Sequence, residues 1–396
     1  MRDLLNSAEF QIALMLFTAL GGYLLASRLR QPAVAGVILA GIVIGPAGLN
    51  LIRYTEGIGY LGHMGAIVLL FVLGLEFNLR SLFRFRYFLI ALAGVLVPWL
   101  GGFITASIFG FEYEKALIIG AALTATSLAI TAATLTEMGY LRTTAGEAII
   151  GAAILDDIMA LTALAISQQL ADGNVQPMIV AWLIVKAAIF LTAGLVFGIK
   201  CISPLMNRID HSRISEQYPE FAFVLAMMLA FLYSLLAEAM ALSAIVGAFV
   251  AGVSLEGVVI DKSKSIREGA EYLRVIFGII FFISLGVLAD FRIVDMNAVI
   301  LAVALTIVAI ATKLVGCGLM ARMVGLGTRD SIIVGVGMAP RGEVAMTIGL
   351  FAYLSGIIAQ PTLVAIVLMS LLTAVLVPPA LKRLYARPAD KAETQT

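Results

Sequence analysis

Apolar stretches of about 20 residues recur along this chain from end to end, separated by short charged or turn-forming segments. A stretch of that length crosses a hydrocarbon core as an α-helix, which satisfies its own backbone where lipid offers no partners. The pattern predicts roughly thirteen spans by this criterion. They lie near 9–27, 33–51, 58–79, 87–109, 115–137, 145–169, 178–201, 218–239, 242–259, 272–289, 296–320, 331–355 and 361–381. Arg30-Gln31-Pro32, Ala171-Asp172-Gly173-Asn174 and Gly325-Leu326-Gly327-Thr328 carry turn signals at the breaks. A large soluble core would alternate apolar and polar faces, so the expected class is an all-α polytopic membrane protein.

Composition agrees. The chain is 61% apolar and 13% charged with mean hydropathy +1.05, against about 25% charged residues in soluble domains. Only Met1 to Ala8 and a short cytoplasmic tail, 386–396, are expected outside the bilayer, which leaves no room for a soluble catalytic or regulatory domain. No small-residue cleavage motif follows the first apolar run, so no signal peptide is expected. Cys201 and Cys317 are too few for a disulfide framework and read as buried thiols. No metal-ligand cluster, nucleophile elbow or phosphate loop occurs, so neither a cofactor nor an enzymatic reaction is expected. Net charge is +1 and suggests no nucleic-acid partner.

The distribution of charge is more informative. Arg28, Arg30, Arg80, Arg84, Arg86, Arg142, Lys200, Arg208, Arg213, Lys262, Lys264, Arg267, Arg322 and Arg329 fall in one set of loops, and Lys382, Arg383, Arg387 and Lys391 in the tail. The opposite loops hold little beyond Arg53, Lys115 and Arg292. The positive-inside rule then puts the C-terminus in the cytoplasm and the N-terminus outside. An odd number of spans requires the same arrangement.

The chain also repeats itself. Val34-Ala35-Gly36 with Ala40-Gly41 resembles Ile245-Val246-Gly247 with Ala251-Gly252, and the stretch from Leu70 to Asn78 resembles that from Phe282 to Asp290. Both pairs are offset by roughly 211 residues, about seven spans, which inverts the second copy. The expectation is two inverted-topology repeats of six spans around a linking helix near 178–201. Secondary transporters build two exchangeable gates in this way.

Two acids stand where lipid forbids them. Asp156 and Asp157 lie inside an apolar helix, and an ionised Asp at mid-span costs roughly 2.5–3.5 kcal/mol on insertion scales. Desolvation and mutual repulsion favour keeping a proton on at least one of them, so the pair titrates together. A site that holds either a proton or a small cation needs that behaviour. The alternative is a pair salt-bridged only to lock the bundle. Lys313 is the counter-charge within the second repeat, either a structural tie or a proton carrier; its counterpart in the first repeat falls near Gly102. Lys186 lies in the linking helix and reads as snorkelling.

Two spans look broken. Thr124, Thr126 and Ser127 put hydroxyls mid-helix, and Gly337-Met338-Ala339-Pro340-Arg341-Gly342-Glu343 interrupts a span at the approximately matching position. Irregular backbone at membrane depth is tolerated where it lines a cavity or is buried in protein. Freed carbonyls there would ligate a cation, Thr126 and Ser127 would serve as ligands or bond back to their own helix, and Arg341 and Glu343 would offset the half-helix dipoles. Glu76 with Arg80, and Glu271 with Arg274, read as interfacial pairs. His63 and His211 lie near opposite faces; His211 is a possible pH sensor but reads more simply as a surface residue.

Taken together, Gly36 to Pro46, Gly74-Leu75-Glu76, Leu155-Asp156-Asp157, Gly337 to Glu343 and Lys313 resemble the monovalent cation:proton antiporter-2 family, specifically its bacterial sodium/proton antiporters with paired aspartates. The similarity runs from about Gln11 to Arg383. It implies a homodimer in the cell (inner) membrane. Residues 9–86 and 218–289 would form the dimerisation domain, 178–201 the linking helix, and 87–169 with 296–381 a mobile core. It also implies that Asp157 carries Na+ or protons, that Asp156 pairs with Lys313, and that Thr126, Ser127, Ala339 and Pro340 cross near the site. Potassium-efflux relatives carry a cytoplasmic nucleotide-binding domain that this sequence does not show. The expected activity is electrogenic export of Na+ or Li+ against protons, by alternating access, with Na+ held at Asp157 and Asp156. K+/H+ exchange is the nearest alternative, a gated cation channel is a more distant one, and a two-aspartate intramembrane hydrolase would leave the repeats unexplained.

Overall fold

The computed structural model describes residues 7–76, 84–171, 177–213, 217–218, 220–255, 258, 266–288 and 296–386. Every regular element among them is helical, and nine helices are long and apolar enough to cross a membrane. The four remaining expected spans fall on short or interrupted helices. The helix at Ala33–Ile44 stops before Gly45-Pro46, where proline offers no donor, and the chain then turns through Asn50 at φ 53. Ala244–Ser254 follows Ala241, at φ 62, and is capped by Ser243, whose hydroxyl accepts from Ile245 N at 3.3 Å. The other two expected spans are each two half-helices. The linking helix runs on beyond its expected end, through a π-helical turn at Gly198–Ile202 to Asp210.

The chain clusters into two compact units. The first comprises Met1–Gly21, Ala40–Phe83 and Asp172–Arg292. It holds most of α1 (Ala8–Arg28), the end of α2 (Ala33–Ile44), α3 (Glu56–Glu76), α8 (Pro177–Phe197), α9 (Ser203–Asp210), α10 (Phe221–Ala239), α11 (Ala244–Ser254) and α12 (Ile266–Val287). Its helices meet through glycine. A methyl group on Gly41 would strike Ile283 O and lie 3.0 Å from Gly286 Cα, while one on Gly252 would strike Phe71 O and lie 2.9 Å from Gly74 Cα. Small residues let helix backbones approach this closely in lipid, where apolar side chains gain nothing by leaving the solvent. Arg274 bonds Glu271 at 2.6 Å, and His63 Nε2 lies 3.5 Å from a Glu238 oxygen, a neighbour that sequence separation concealed. His211 is exposed, its Nδ1 2.9 Å from Asn207 O. Arg80 and the Glu76 side chain lie outside the described residues.

The second unit comprises Gly22–Leu39, Arg84–Ala171 and Ile293–Thr396. It holds α4 (Phe85–Ile108), α5 (Tyr113–Ala122), α6 (Leu128–Met138), α7 (Thr144–Ala171), α13 (Met296–Lys313), α14 (Leu319–Met323), α15 (Thr328–Gly337), α16 (Glu343–Leu354) and α17 (Gln360–Ala386). A π-helical turn, Leu314–Gly318, joins α13 to α14. Its apolar core includes Ile118, Ile119, Leu123, Leu305, Ile366 and Met369, all nearly or fully buried. At one end Glu137 accepts from Ala33 N through both carboxylate oxygens, at 2.8 and 2.9 Å, capping the start of α2.

Candidate functional site

α7 presents the two acids. Both are buried, Asp156 at 0% and Asp157 at 3% exposure, and adjacent helical positions diverge by about 100°. One turn before them Gly151 lets α7 close on α4, because a methyl there would lie 2.5 Å from the Tyr87 ring. Lys313, the last residue of α13, is fully buried and donates from Nζ to Asp156 Oδ1 at 2.7 Å. A buried pair at this distance is held by low dielectric and strongly disfavours loss of either partner. Asp156 Oδ2 has no hydrogen-bond partner among the described residues.

The two breaks lie beside this pair and close each other. α5 ends at Ala122 and α6 begins at Leu128; α15 ends at Gly337 and α16 begins at Glu343. Ser127 N donates to Pro340 O at 2.8 Å, Thr126 Oγ1 to Met338 O at 3.0 Å and Thr131 Oγ1 to Gly337 O at 2.7 Å. Buried backbone groups freed by one break are thus satisfied by the other. The fit is tight, since a methyl on Gly342 would lie 2.5 Å from Ser127 Oγ.

Arg341 fixes the crossing. Its backbone N–H donates to Thr373 Oγ1 at 2.9 Å on α17, and its guanidinium reaches Ala125 O at 3.1 Å, Met338 O at 3.4 Å and Ala309 O at 3.3 Å. The fully buried side chain thus reaches a carbonyl in each break and one within α13. Arg341 and Thr126 are also electrostatic neighbours of Asp156. The Thr126 hydroxyl spends its proton on Met338 O. Ser127 Oγ is buried and has no hydrogen-bond partner among the described residues. The Glu343 side chain lies outside the described residues.

Asp156, Lys313, Thr126, Ser127, Pro340 and Arg341 are therefore gathered in one unit, with Asp157 next along α7. Sequence reading missed Thr131, Thr373 and the carbonyls of Ala125, Met338 and Ala309, because nothing in a sequence says which distant backbone oxygen a side chain reaches. Cys317 is buried as expected, but its place one turn after Lys313, donating weakly to Ile90 O at 3.6 Å, was not foreseen; Cys201, also expected to be a buried thiol, is exposed. Gly102, in turn, packs against Gly120, with 2.8 Å between its would-be methyl and the Gly120 Cα.

Comparison with known proteins bears on the whole chain. The Na(+)/H(+)-K(+) antiporter GerN of Bacillus cereus is 34% identical over 388 residues, covering 97% of each chain. The high-affinity Na(+)/H(+) antiporter NhaS3 of Synechocystis is 30% identical over 90% of this chain and 85% of its own length. Among solved structures, the sodium proton antiporter MjNhaP1 of Methanocaldococcus jannaschii at pH 8 superposes with TM-score 0.67 over 95% of this chain and 96% of its own, at 18% identity, a likeness of fold. The family described as "Sodium/hydrogen exchanger, transmembrane" matches residues 14–386. The chain belongs to this sodium/hydrogen exchanger family, whose members are secondary transporters and not enzymes.

Proposed function

We propose that the chain is an electrogenic sodium/proton antiporter, exporting Na+ or Li+ and admitting protons, with cation and protons competing for Asp157 and Asp156. The observation that carries this reading is the buried Lys313–Asp156 pair beside Asp157, in the unit that holds both helix breaks. In the proton-loaded state Asp157 holds a proton and Lys313 is an ammonium held by Asp156. An arriving cation takes the two carboxylates, Asp157 gives up its proton, and Lys313, losing its counter-charge, gives up another. Two protons enter for each cation that leaves, so more positive charge enters than leaves and each cycle moves net charge. Freed backbone in the breaks, with Thr126 and Ser127, completes the coordination, while Pro340, Arg341 and Glu343 balance the half-helix ends.

Alternating access follows if the second unit, which carries the whole site and draws on both inverted repeats, moves as one body, in a homodimer of the cell membrane with the N-terminus outside and the C-terminus in the cytoplasm. That all the site residues belong to one compact unit supports such a movement. The similarity to a Bacillus cereus antiporter named for both Na+ and K+ supports a second reading, K+/H+ exchange at the same carboxylates. Reconstituted vesicles with an imposed pH gradient decide between antiport and no antiport: Na+ added outside dissipates the gradient if the reading holds, and leaves it untouched if it does not. Replacing Na+ by K+ in the same vesicles separates the two ions.

A further inference from the structure

Gly94 and Pro98 stand one turn apart on the buried face of α4. In an α-helix the N–H of residue i+4 bonds the carbonyl of residue i, and proline has no N–H. Pro98 therefore removes the donor that the Gly94 carbonyl would ordinarily have, inside a span where polar groups need partners. This backbone lies against the ion pair. A methyl on Gly94 would be 2.5 Å from Cys317 Sγ and 3.3 Å from both Asp156 Oδ1 and Lys313 Nζ. Lys313 also sits where α13 gives way to the π-helical turn at Leu314–Gly318, and such widened turns recur where a helix must adjust at a functional site.

The antiport reading requires Asp156 to give up Lys313 when a cation arrives. Ammonium or amine, the displaced nitrogen still carries N–H donors, and leaving them unsatisfied in a buried site is unfavourable. Cys317 is a poor alternative, being a weak acceptor that already faces Ile90 O. Resting on that reading, we propose that the Gly94 carbonyl, released by Pro98, accepts the Lys313 amino group while a cation holds Asp156. Gly94 and Pro98 are then positioning residues for the exchange: they give Lys313 a second place to sit.

Pro98→Ala returns an N–H to position 98 and occupies the Gly94 carbonyl with an ordinary helical bond. The test is Na+-dependent thermal stabilisation of the purified full chain in four forms: wild type, Pro98→Ala, Lys313→Ala and the double variant. Pro98→Ala is expected to weaken apparent Na+ affinity about fivefold, the scale of one hydrogen bond to a polar or charged group, and to shift the pH profile of exchange in vesicles. In the Lys313→Ala background the same change is expected to move affinity by less than about twofold, since the coupling partner is gone. An equal shift in both backgrounds makes Pro98 a determinant of helix shape alone and overturns the proposal, as does no shift in either. Pro98→Gly also restores the N–H and must give the same pattern, which keeps the test available if the alanine variant does not fold. Wild type without Na+-dependent stabilisation is a separate outcome and overturns the antiport reading itself.

Discussion

Lys313 Nζ lies 2.7 Å from Asp156 Oδ1 with both side chains fully buried, and Asp157 is the next residue along the helix. Removing one member of a buried pair leaves the other uncompensated, at a penalty of about 3–5 kcal/mol unless it neutralises. Asp156 neutralises by keeping a proton throughout the cycle, which leaves Asp157 alone to exchange one proton for each Na+. Lys313→Ala is therefore expected to lower the melting temperature yet still exchange Na+ for protons, with the transported charge abolished. Current recordings from reconstituted vesicles check this. Unchanged electrogenicity would make Lys313 a structural tie.

Thr131 donates to Gly337 O at 2.7 Å, where α15 breaks. Valine at 131 keeps the shape and loses the donor, leaving a buried carbonyl unsatisfied at roughly 1–3 kcal/mol. Thr131→Val is expected to melt several degrees lower while apparent Na+ affinity stays near that of wild type, because the hydroxyl serves the crossing and not the ion. Thermal melts with and without Na+ distinguish the two effects. A loss of affinity with unchanged stability contradicts the assignment.

Arg341 spans three carbonyls through two nitrogens. A lysine supplies the charge but lacks the planar fork. Arg341→Lys is expected to retain part of the stability and of the exchange, and Arg341→Met to retain neither, measured as thermal melts and vesicle uptake. Equal damage from both would show that geometry matters and charge does not.

Glu112 and Lys115 form an exposed pair at 2.8 Å beside the start of α5. Hydrogen bonding and charge from Lys115 hold the Glu112 carboxyl below the usual carboxylate range. A depressed carboxylate contributes stability above its unfolded pKa and loses it as pH falls through the folded value, so the Glu112 contribution changes only in the acid range and is constant around neutrality. Glu112→Gln is expected to leave the pH profile of exchange unchanged between neutral and alkaline pH. A shifted profile would assign this surface pair a role in pH response.

Much of this architecture was legible from the residue pattern because lipid makes errors of polarity expensive. Asp156, Asp157 and Lys313 are conspicuous against apolar neighbours, and Pro340 between glycines announces a break. The count of spans was less legible, since a window of about 20 residues cannot tell one helix from the two halves Tyr113–Ala122 and Leu128–Met138, nor anticipate the short Ala33–Ile44 and Ala244–Ser254. Contacts made by backbone escaped sequence altogether. Gly94 reads as one small residue among 37 glycines, and only its position against Cys317, Asp156 and Lys313 sets it apart. Arg341 stood out as a charge at the break, but the particular carbonyls it reaches and Thr373 were not readable.

The most direct measurement is solid-supported-membrane electrophysiology on the reconstituted chain, with Na+, Li+ and K+ applied across a range of pH, for wild type and Asp157→Asn. The account predicts a cation-dependent transient current in wild type that protons suppress competitively, and none in Asp157→Asn. A wild type silent to all three cations, or an Asp157→Asn variant that carries the same current, would contradict it.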